Sequence, residues 1–557
     1  DIDRVAQIMG KDFSDAERTD VIQCLECCDV NACPGSGKTT TMVAKLLLLS
    51  EKLAGTMTGI CALSHTNAAK NEIEKSLGSH SGLLMRYPHF VGTIQAFTDL
   101  FLAIPAYIEE YGHRPVAIDD EQFEYVAKRM FSRLSRNTKI ALNRRRSGAG
   151  QELFCETSYS FSNFELVTYN SNREKEFCCR PQTPTYQEVL RGKREITASG
   201  YLTYHDAFAF ANRYLRKYPH LSDIIANRFS YVFIDEMQDT DVYQNELIEH
   251  IFRGKSVIQK FGDPNQTIYG QRFQGEEPIW RPQGNHAITT SRRLSSSISR
   301  LSQGICANPH VIRGNENIPD YPHTIILFDP SQRENVIPRF GQIIENEHLQ
   351  DGPFKALGAI GRPNQNANYL SVTSYWPNFL VRQQFSRANN PFWGLILQAR
   401  SSILLTNRYS EAYQMMTRAF TELLQAQQIR NQNGHSYTPT FLLKSLRESG
   451  INNFNDYKRI LLANCEHLLN HANLEIEETI AQAQLILSFL NYRLDRFGEE
   501  VIRNRGQVQP PILPPARQNL NEYSHNPNIA IDIDTIHSAK GQTHQATLCF
   551  LLLNLPL

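Results

Sequence analysis

Through the first hundred residues, short apolar runs alternate with stretches whose apolar positions recur every three or four residues. Asp29 to Cys33 and Gly59 to Leu63 read as strands, and Thr39 to Leu49 and Ala68 to Leu77 as helices. That alternation predicts a parallel α/β sheet, because parallel strands need crossover connections that are usually helical. From about Ile104 to Thr197 the pattern is less regular and more basic, with Arg144, Arg145 and Arg146 in succession. This stretch reads as an insertion, after which strand and helix signals resume at Tyr201. Two further apolar runs end in charge: Tyr231 to Ile234 leads into Asp235 and Glu236, and Ser256 to Phe261 into Gly262 and Asp263. Parallel strands end this way where a ligand sits beyond their carboxyl ends.

In the second half, His323 to Phe328 and Phe354 to Ile360 are expected strands, and Phe392 to Phe497 is almost continuously helical in pattern. Pro510, Pro511, Pro514 and Pro515 predict a stiff extended connection, after which Ala530 to Thr535 and Ala546 to Leu553 read as strands again. A second α/β domain is therefore expected, interrupted by an all-α insertion and then completed. Leu423, Leu424, Leu468 and Leu469 are expected in the core of that insertion.

At roughly 150 residues per domain, 557 residues predict about three or four domains. Lys and Arg total 57 and Asp and Glu total 57, which excludes a uniformly basic coat but leaves room for a basic groove, so nucleic acid stays open as a partner. No run of about 18 apolar residues occurs, and Asp1 to Asp20 lacks the core of a signal peptide, so a cytoplasmic protein without a membrane partner is expected. The 11 cysteines suit reduced thiols better than a disulfide framework. Cys24 and Cys27 have metal-ligand spacing, but no second pair or HxxxH follows at a useful distance, so buried free thiols are the expected state.

The strongest chemical signal is Ala32-Cys33-Pro34-Gly35-Ser36-Gly37-Lys38-Thr39, a phosphate loop between an expected strand and an expected helix. Gly35 and Gly37 let backbone N–H groups approach phosphate oxygens. Lys38 can reach the β- and γ-phosphates and Thr39 can bind Mg²⁺. Pro34, Ser36 and Thr40 complete the nucleotide-binding stretch. Val232-Phe233-Ile234-Asp235-Glu236 supplies the other half, with Asp235 for the Mg²⁺ shell and Glu236 to polarise an attacking water. Together they predict an ATPase.

These motifs belong to an ordered series. Ala62-Leu63-Ser64-His65-Thr66-Asn67-Ala68-Ala69, Val91-Gly92-Thr93-Ile94-Gln95-Ala96-Phe97, Asp235-Glu236-Met237-Gln238-Asp239-Thr240 and Gly262-Asp263-Pro264-Asn265-Gln266-Thr267-Ile268-Tyr269-Gly270 follow the phosphate loop. Ser291-Arg292-Arg293-Leu294-Ser295 and Thr535-Ile536-His537-Ser538-Ala539-Lys540-Gly541 complete it. The series resembles motifs Ia to V of the UvrD/Rep-type superfamily 1 helicases. The resemblance implies two RecA-like domains with parallel sheets, each interrupted by an insertion, the second all-α. By this likeness residues 1–103 and 200–286 would form domain 1A, 104–199 domain 1B, 287–375 and 526–557 domain 2A, and 376–525 domain 2B.

The resemblance further implies that Gln266 senses the γ-phosphate of ATP, that Arg293 stabilises charge on it, and that Arg292 and Gly541 lie against the nucleotide. Thr66, Asn67, Thr93, Tyr269, Arg272, His537 and Lys540 would line the path of single-stranded DNA, and motion would run 3′ to 5′. The departures are specific. Arg18 stands where the adenine-reading Gln is expected, with Gln23 closer to the loop; Gln271 replaces a stacking aromatic, and Gln95 replaces a histidine. Motif V ends Gly541-Gln542-Thr543-His544 in place of Gly-x-Glu. The Thr-Arg-Ala segment of motif VI does not occur before Leu557, and the apolar run Leu551 to Leu557 leads us to expect a truncated chain. A narrower likeness is to the helicase-like subunit of Gabija antiphage systems. It implies a DNA-end-sensing NTPase in a hetero-oligomer with a Toprim-type nuclease.

Overall fold

The structure, a computed structural model, describes residues 2–65, 81–170, 172–267, 280–284, 286–349, 352–361, 370–377, 379, 391–406, 409–430, 437–471, 473–504 and 521–550. The expected helix Ala68 to Leu77 and the proline-rich connection lie outside them. The chain divides into two units, Asp1–Tyr321 and Pro322–Leu557.

The first unit contains β1 (Cys28–Ala32), β2 (Gly59–Ser64), β3 (Phe90–Thr93), β4 (Ala117–Ile118), β5 (Thr157–Tyr159), β6 (Leu166–Asn170), β7 (Arg173–Glu176), β8 (Tyr201–Leu202), β9 (Phe229–Ile234), β10 (Val257–Gly262) and β11 (His286–Ile288). Six of them form one sheet in the order β11-β1-β10-β9-β2-β3. Every pairing in it is parallel. Side chains alternate across a strand, and here both faces are covered; β2 and most of β9 read as apolar runs, whereas β1 carries Asp29 and Asn31 and β10 carries Gln259 and Lys260. Ile60, Ala62 and Phe233 join a core with Val43, Leu46 and Leu47 of the helix Lys38–Lys52. Cys61, Leu63, Val232 and Ile234 join a second core on the opposite face with Phe97, Phe208, Ile248 and Phe252. Fully burying such side chains stabilises by roughly 1.5–3 kcal/mol each.

Residues 104–199 carry the short antiparallel sheet β5-β6-β7 and a helical core of Phe123, Leu142, Phe154, Val189 and Ile196. This group is tied to the main sheet's helices by a buried ion pair, Lys193 Nζ to Asp206 Oδ2 at 2.6 Å. Asp206 also caps the helix Tyr204–Lys217 in a capping box with Thr203. The first unit does not stop at the motif-based boundary of 286/287. β11 pairs with β1 and extends the first sheet, and the unit continues to Tyr321.

The second unit contains β12 (Phe354–Gly358), β13 (Glu522–Asn526), β14 (Ile529–Thr535) and β15 (Ala546–Cys549) in the order β13-β14-β12-β15. β13 runs antiparallel to β14, a hairpin that its polar sequence Glu-Tyr-Ser-His-Asn does not announce. The expected strand His323 to Phe328 is not one. The alternation is real, since Ile326 and Phe328 pack on the core while Ile325 and Leu327 are 85% and 82% exposed, but among the described residues no strand pairs with it. Between β12 and β13, among the described residues, six helices from Pro391 to Arg503 enclose a core of their own. Leu423, Leu424 and Leu468 lie inside it and Leu469 packs against it.

Candidate functional site

The carboxyl ends of β1, β9 and β10 deliver three motifs to one place. After β1 the chain enters the phosphate loop, with Gly35 at φ 72° and Gly37 at φ 77°. Gly37 is the N-cap of the helix Lys38–Lys52, so that helix's unsatisfied N–H groups open onto the loop. A side chain at Gly35 has no room: a Cβ there would lie 2.5 Å from Arg293 Cβ and 2.8 Å from Ser291 Oγ. Ser36 Oγ is buried without a hydrogen-bond partner among the described residues, an orphan that a phosphate oxygen would satisfy.

Opposite the loop, Lys38 Nζ lies 3.3 Å from Asp235 Oδ1 and 2.6 Å from Glu236 Oε2. Burial opposes both charges of this group, but the two carboxylates outweigh it and hold Lys38 above its usual value. Asp235 is pushed upward by burial, and Lys38 pulls it back. Thr39 Oγ1 donates to Asp235 Oδ2 at 3.0 Å, so a hydroxyl and a carboxylate converge as hard oxygen donors of the kind Mg²⁺ takes. Glu236 sits in the left-handed region at φ 54°, ψ 43°, a conformation that costs a non-glycine residue about 1–2 kcal/mol and occurs where position matters more than ease.

Gln238 joins the acidic motif to the next strand. Its Nε2 donates to Glu236 Oε2 at 2.5 Å, and its Oε1 accepts from Asp263 N at 3.0 Å. Asp263, 1% exposed, accepts in turn from Gln266 Nε2 at 2.7 Å. Gln266 is thus held at the end of β10, in the same shell as Glu236.

The segment after β11 closes the site from the other side. Arg292 N donates to Gly35 O at 2.9 Å and Ser291 Oγ to Pro34 O at 2.8 Å, which sets Arg293 against the loop. The Arg292 guanidinium turns away toward Asp12 and Asp15, 3.5 Å from Asp15 Oδ2. Arg18 is 2% exposed and bridges the two segments: Nη2 donates to Ser36 O at 2.6 Å and to Thr290 O at 2.9 Å, and Nε to Ser36 O at 3.1 Å. Glu17 accepts from Thr289 N at 2.8 Å and Thr290 N at 3.2 Å. Sequence reasoning gave no role to Arg18, Glu17, Ser291 or Gln238. Arg18 was noticeable only as a residue out of place, Gln238 and Ser291 stand inside the quoted motifs without a role of their own, and Glu17 carries no spacing signal because Thr289 and Thr290, its partners, are distant in sequence.

Of the expected DNA-path residues, Thr66, Asn67, Tyr269 and Arg272 lie outside the described residues, as does the side chain of His537. Thr93 ends β3 and caps the helix Ile94–Thr98 by accepting from Ala96 N at 3.0 Å. Gln95 Nε2 donates to Asp99 Oδ1 at 2.7 Å. In the second unit, Lys540 and Gly541 follow the helix Ile536–Ala539, with Gly541 at φ 80°. Thr40 lies in the first turn of the helix Lys38–Lys52. The expectation of buried thiols fails at the first cysteine cluster: Cys27 is exposed and Cys24 and Cys28 are half-buried, because the loop before β1 runs along the sheet margin. Among the described residues no helix is long and apolar enough to cross a membrane.

Residues 14–278 match the UvrD/REP helicase N-terminal domain. The chain is 23% identical over 250 residues to ATP-dependent DNA helicase Rep of Buchnera aphidicola subsp. Schizaphis graminum, covering 44% of this chain and 36% of that protein. It is 22% identical over 282 residues to DNA helicase II of Salmonella typhimurium, covering 50% and 37%. It is 22% identical over 379 residues to the probable DNA helicase II homolog of Mycoplasma pneumoniae, covering 60% and 49%. The chain thus spans between about a third and a half of the length of these relatives, and its first half is distantly homologous to Rep and DNA helicase II.

Proposed function

We propose that the protein is an ATP-driven motor on DNA, a superfamily 1A helicase or translocase that moves 3′ to 5′ on single-stranded DNA. The observation that carries this reading is the convergence of Lys38, Thr39, Asp235 and Glu236 at a phosphate loop, with Gln266 in the same hydrogen-bonded shell. Lys38 exchanges its two carboxylates for the β- and γ-phosphates when nucleotide enters. Glu236, released from Lys38, accepts the proton of the attacking water as the γ-phosphate is cleaved from ADP. Thr39 and Asp235 are the residues that would hold Mg²⁺, which supplies charge neutralisation at the phosphates. Gln266, tied through Asp263 and Gln238 to Glu236, makes the end of β10 responsive to the nucleotide state, and Arg293, whose Cβ abuts Gly35, stabilises charge on the γ-phosphate in this reading. Thr66, Asn67, Thr93, Tyr269, Arg272, His537 and Lys540 form the DNA path in this reading, and Arg292 and Gly541 flank the nucleotide.

Steady-state ATP hydrolysis with and without single-stranded DNA tests the proposal, with Lys38→Ala as control. Hydrolysis stimulated by DNA and abolished in Lys38→Ala is the expected result. Turnover that ignores DNA removes the motor, and turnover that survives Lys38→Ala removes the site.

The narrower Gabija reading, with a Toprim-type nuclease as partner and a role in antiphage defence, rests on Gln271 and on the ending of motif V. There His544 Nδ1 lies 3.2 Å from Thr547 Oγ1 and Nε2 3.4 Å from Gln542 Oε1, at the place where the helicase likeness leads one to expect a carboxylate. Co-purification with such a nuclease, and its DNA cleavage responding to ATP, is the test of that reading.

A further inference from the structure

Cys24, Cys28 and His286 are brought together from opposite ends of the first unit. Cys24 is the C-cap of the helix Ala16–Gln23, Cys28 is the first residue of β1, and His286 is the first residue of β11. β11 pairs in parallel with β1, placing His286 opposite Val30, so His286 shares a sheet face with Val30 and Cys28. One potential ligand atom from each of the three residues lies within 4.8 Å of the other two.

Three independent features around the cluster match what a metal site needs. Asp20 Oδ2 lies 2.7 Å from His286 Nδ1, the carboxylate–histidine arrangement that fixes a ligand imidazole's tautomer and leaves Nε2 with its lone pair. Gln259, fully buried, donates through Nε2 to Cys24 O at 3.1 Å and Glu26 O at 2.7 Å, and lies 3.8 Å from Cys24 Sγ. It fixes the loop that carries the cysteines and supplies an N–H toward a sulfur. Lys45 is 1% exposed, and its ammonium is held by the carbonyls of Val21, at 2.8 Å, and Cys24. Lys45 thereby fixes the carbonyl of Cys24, and among the described residues no carboxylate lies within ion-pair distance of it.

We propose that Cys24, Cys28 and His286 bind one zinc ion, with solvent in the fourth position and Asp20 holding the His286 ring. Two sulfurs and an imidazole are soft and borderline donors that favour Zn²⁺ over Mg²⁺ or Ca²⁺. Two thiolates would neutralise the charge of the metal. The site lies at the amino ends of β1 and β11, away from the phosphate loop that follows β1 and the Ser291–Arg293 segment that follows β11. The ion therefore acts as a staple between the strand that leads into the loop and the three-residue edge strand that leads to Arg293.

The test is metal content and cobalt substitution of the whole purified protein. One equivalent of zinc that survives gel filtration is expected, and Co²⁺ in its place gives the visible d–d bands of a tetrahedral thiolate site. Cys24→Ser, Cys28→Ser and His286→Ala each lose the metal and the bands, whereas Cys27→Ser, whose exposed sulfur is outside the cluster, keeps both. Asp20→Asn weakens zinc affinity by roughly 10–100-fold without removing a ligand. Absence of stoichiometric metal and of cobalt bands in the wild type overturns the proposal, whatever the variants do. So does zinc retained by a Cys24→Ser/Cys28→Ser protein, or a Cys24–Cys28 disulfide in protein purified under reducing conditions.

Discussion

Arg18→Gln places at position 18 the residue type that the helicase likeness expects, and it should damage the protein. Arg18 makes three guanidinium hydrogen bonds to two backbone carbonyls, Ser36 O within the phosphate loop and Thr290 O beside it. A glutamine amide is shorter and neutral, and at best it keeps one of them. Hydrogen bonds from charged donors contribute about 1.5–3 kcal/mol each, and a buried carbonyl left without a donor costs about 1–3 kcal/mol. The contact to Asp15, whose carboxylate is 34% exposed, adds little. The expected loss is about 3 kcal/mol, with about 6 kcal/mol as a ceiling. Arg18→Lys should recover only part of this, because an ammonium on a flexible stem does not reproduce the planar fork that reaches both carbonyls.

Urea unfolding gives the stability change, and titration with a fluorescent ATP analogue gives the functional one. Because Ser36 O lies in the loop, part of the loss should appear as weaker nucleotide binding, about tenfold for each 1.4 kcal/mol that the bound loop conformation loses. An Arg18→Gln protein with the wild-type urea midpoint and wild-type nucleotide affinity would refute the brace. If the same variant instead gained preference for ATP over GTP, position 18 would be reading the base, and the buried geometry around Ser36 and Thr290 would be incidental.

Three further outcomes follow from the same contacts. Glu236→Gln should retain nucleotide binding, measured by the same titration, while hydrolysis falls by roughly 10²–10⁴-fold for loss of a general base; a wild-type rate would remove Glu236 from that role. Asp99 lies in a π-helical turn, Asp99–Ala103, and burial raises its carboxyl to about 7 against a hydrogen bond from Gln95. The folded state therefore holds this proton more tightly than the unfolded chain: its contribution is complete below pH ~4 and is lost as pH rises through ~7, by at most about 4 kcal/mol. Asp99→Asn should flatten that part of the stability profile and stabilise the protein at pH 8, and an unchanged profile counts against the assignment. Asp206→Ala strands the buried Lys193 ammonium and should cost about 3–5 kcal/mol in chemical denaturation, much of it recovered when Lys193→Met is added; an exposed-pair value near zero would contradict the burial.

The parts of this fold that the sequence announces are those governed by local periodicity. β1, β2, β9 and β10 appear within a residue or two of their expected positions; for β2 and β9 the reason is that strands covered on both faces are mostly apolar, while β1 and β10, which carry Asp29, Asn31, Gln259 and Lys260, are marked by the motifs that follow them, and the phosphate loop is legible because glycine and lysine spacing is itself the mechanism. The failures have a different origin. Ile325 and Leu327 alternate as a strand would, but pattern specifies a face and not a partner, and among the described residues no strand pairs with the segment. β13 is polar and depends on β14 for its register, which no window confined to Glu522–Asn526 contains. Cys24 and Cys27 have the metal-ligand spacing in sequence, but the cluster takes Cys28 in place of Cys27, and its third ligand-type residue, His286, arrives through strand pairing.

That pairing also changes what the nucleotide site consists of. β11 is an edge strand of three residues, and so short a ladder gives weak registration by itself, yet Arg293 depends on its register to stand against Gly35. The register is fixed from outside the sheet. Glu17 holds Thr289 and Thr290 by their N–H groups, Arg18 ties Thr290 O to Ser36 O, and Ser291 Oγ reaches Pro34 O. Two of these three ties come from the helix Ala16–Gln23, whose Asp20 also holds the His286 ring. A helix that contributes no motif residue therefore carries the alignment between the phosphate loop and the arginine segment. A charge at position 18, where the likeness leads one to expect an amide, fits that mechanical role: a guanidinium presents several N–H groups in one plane and reaches the loop carbonyl of Ser36 and the carbonyl of Thr290 at once.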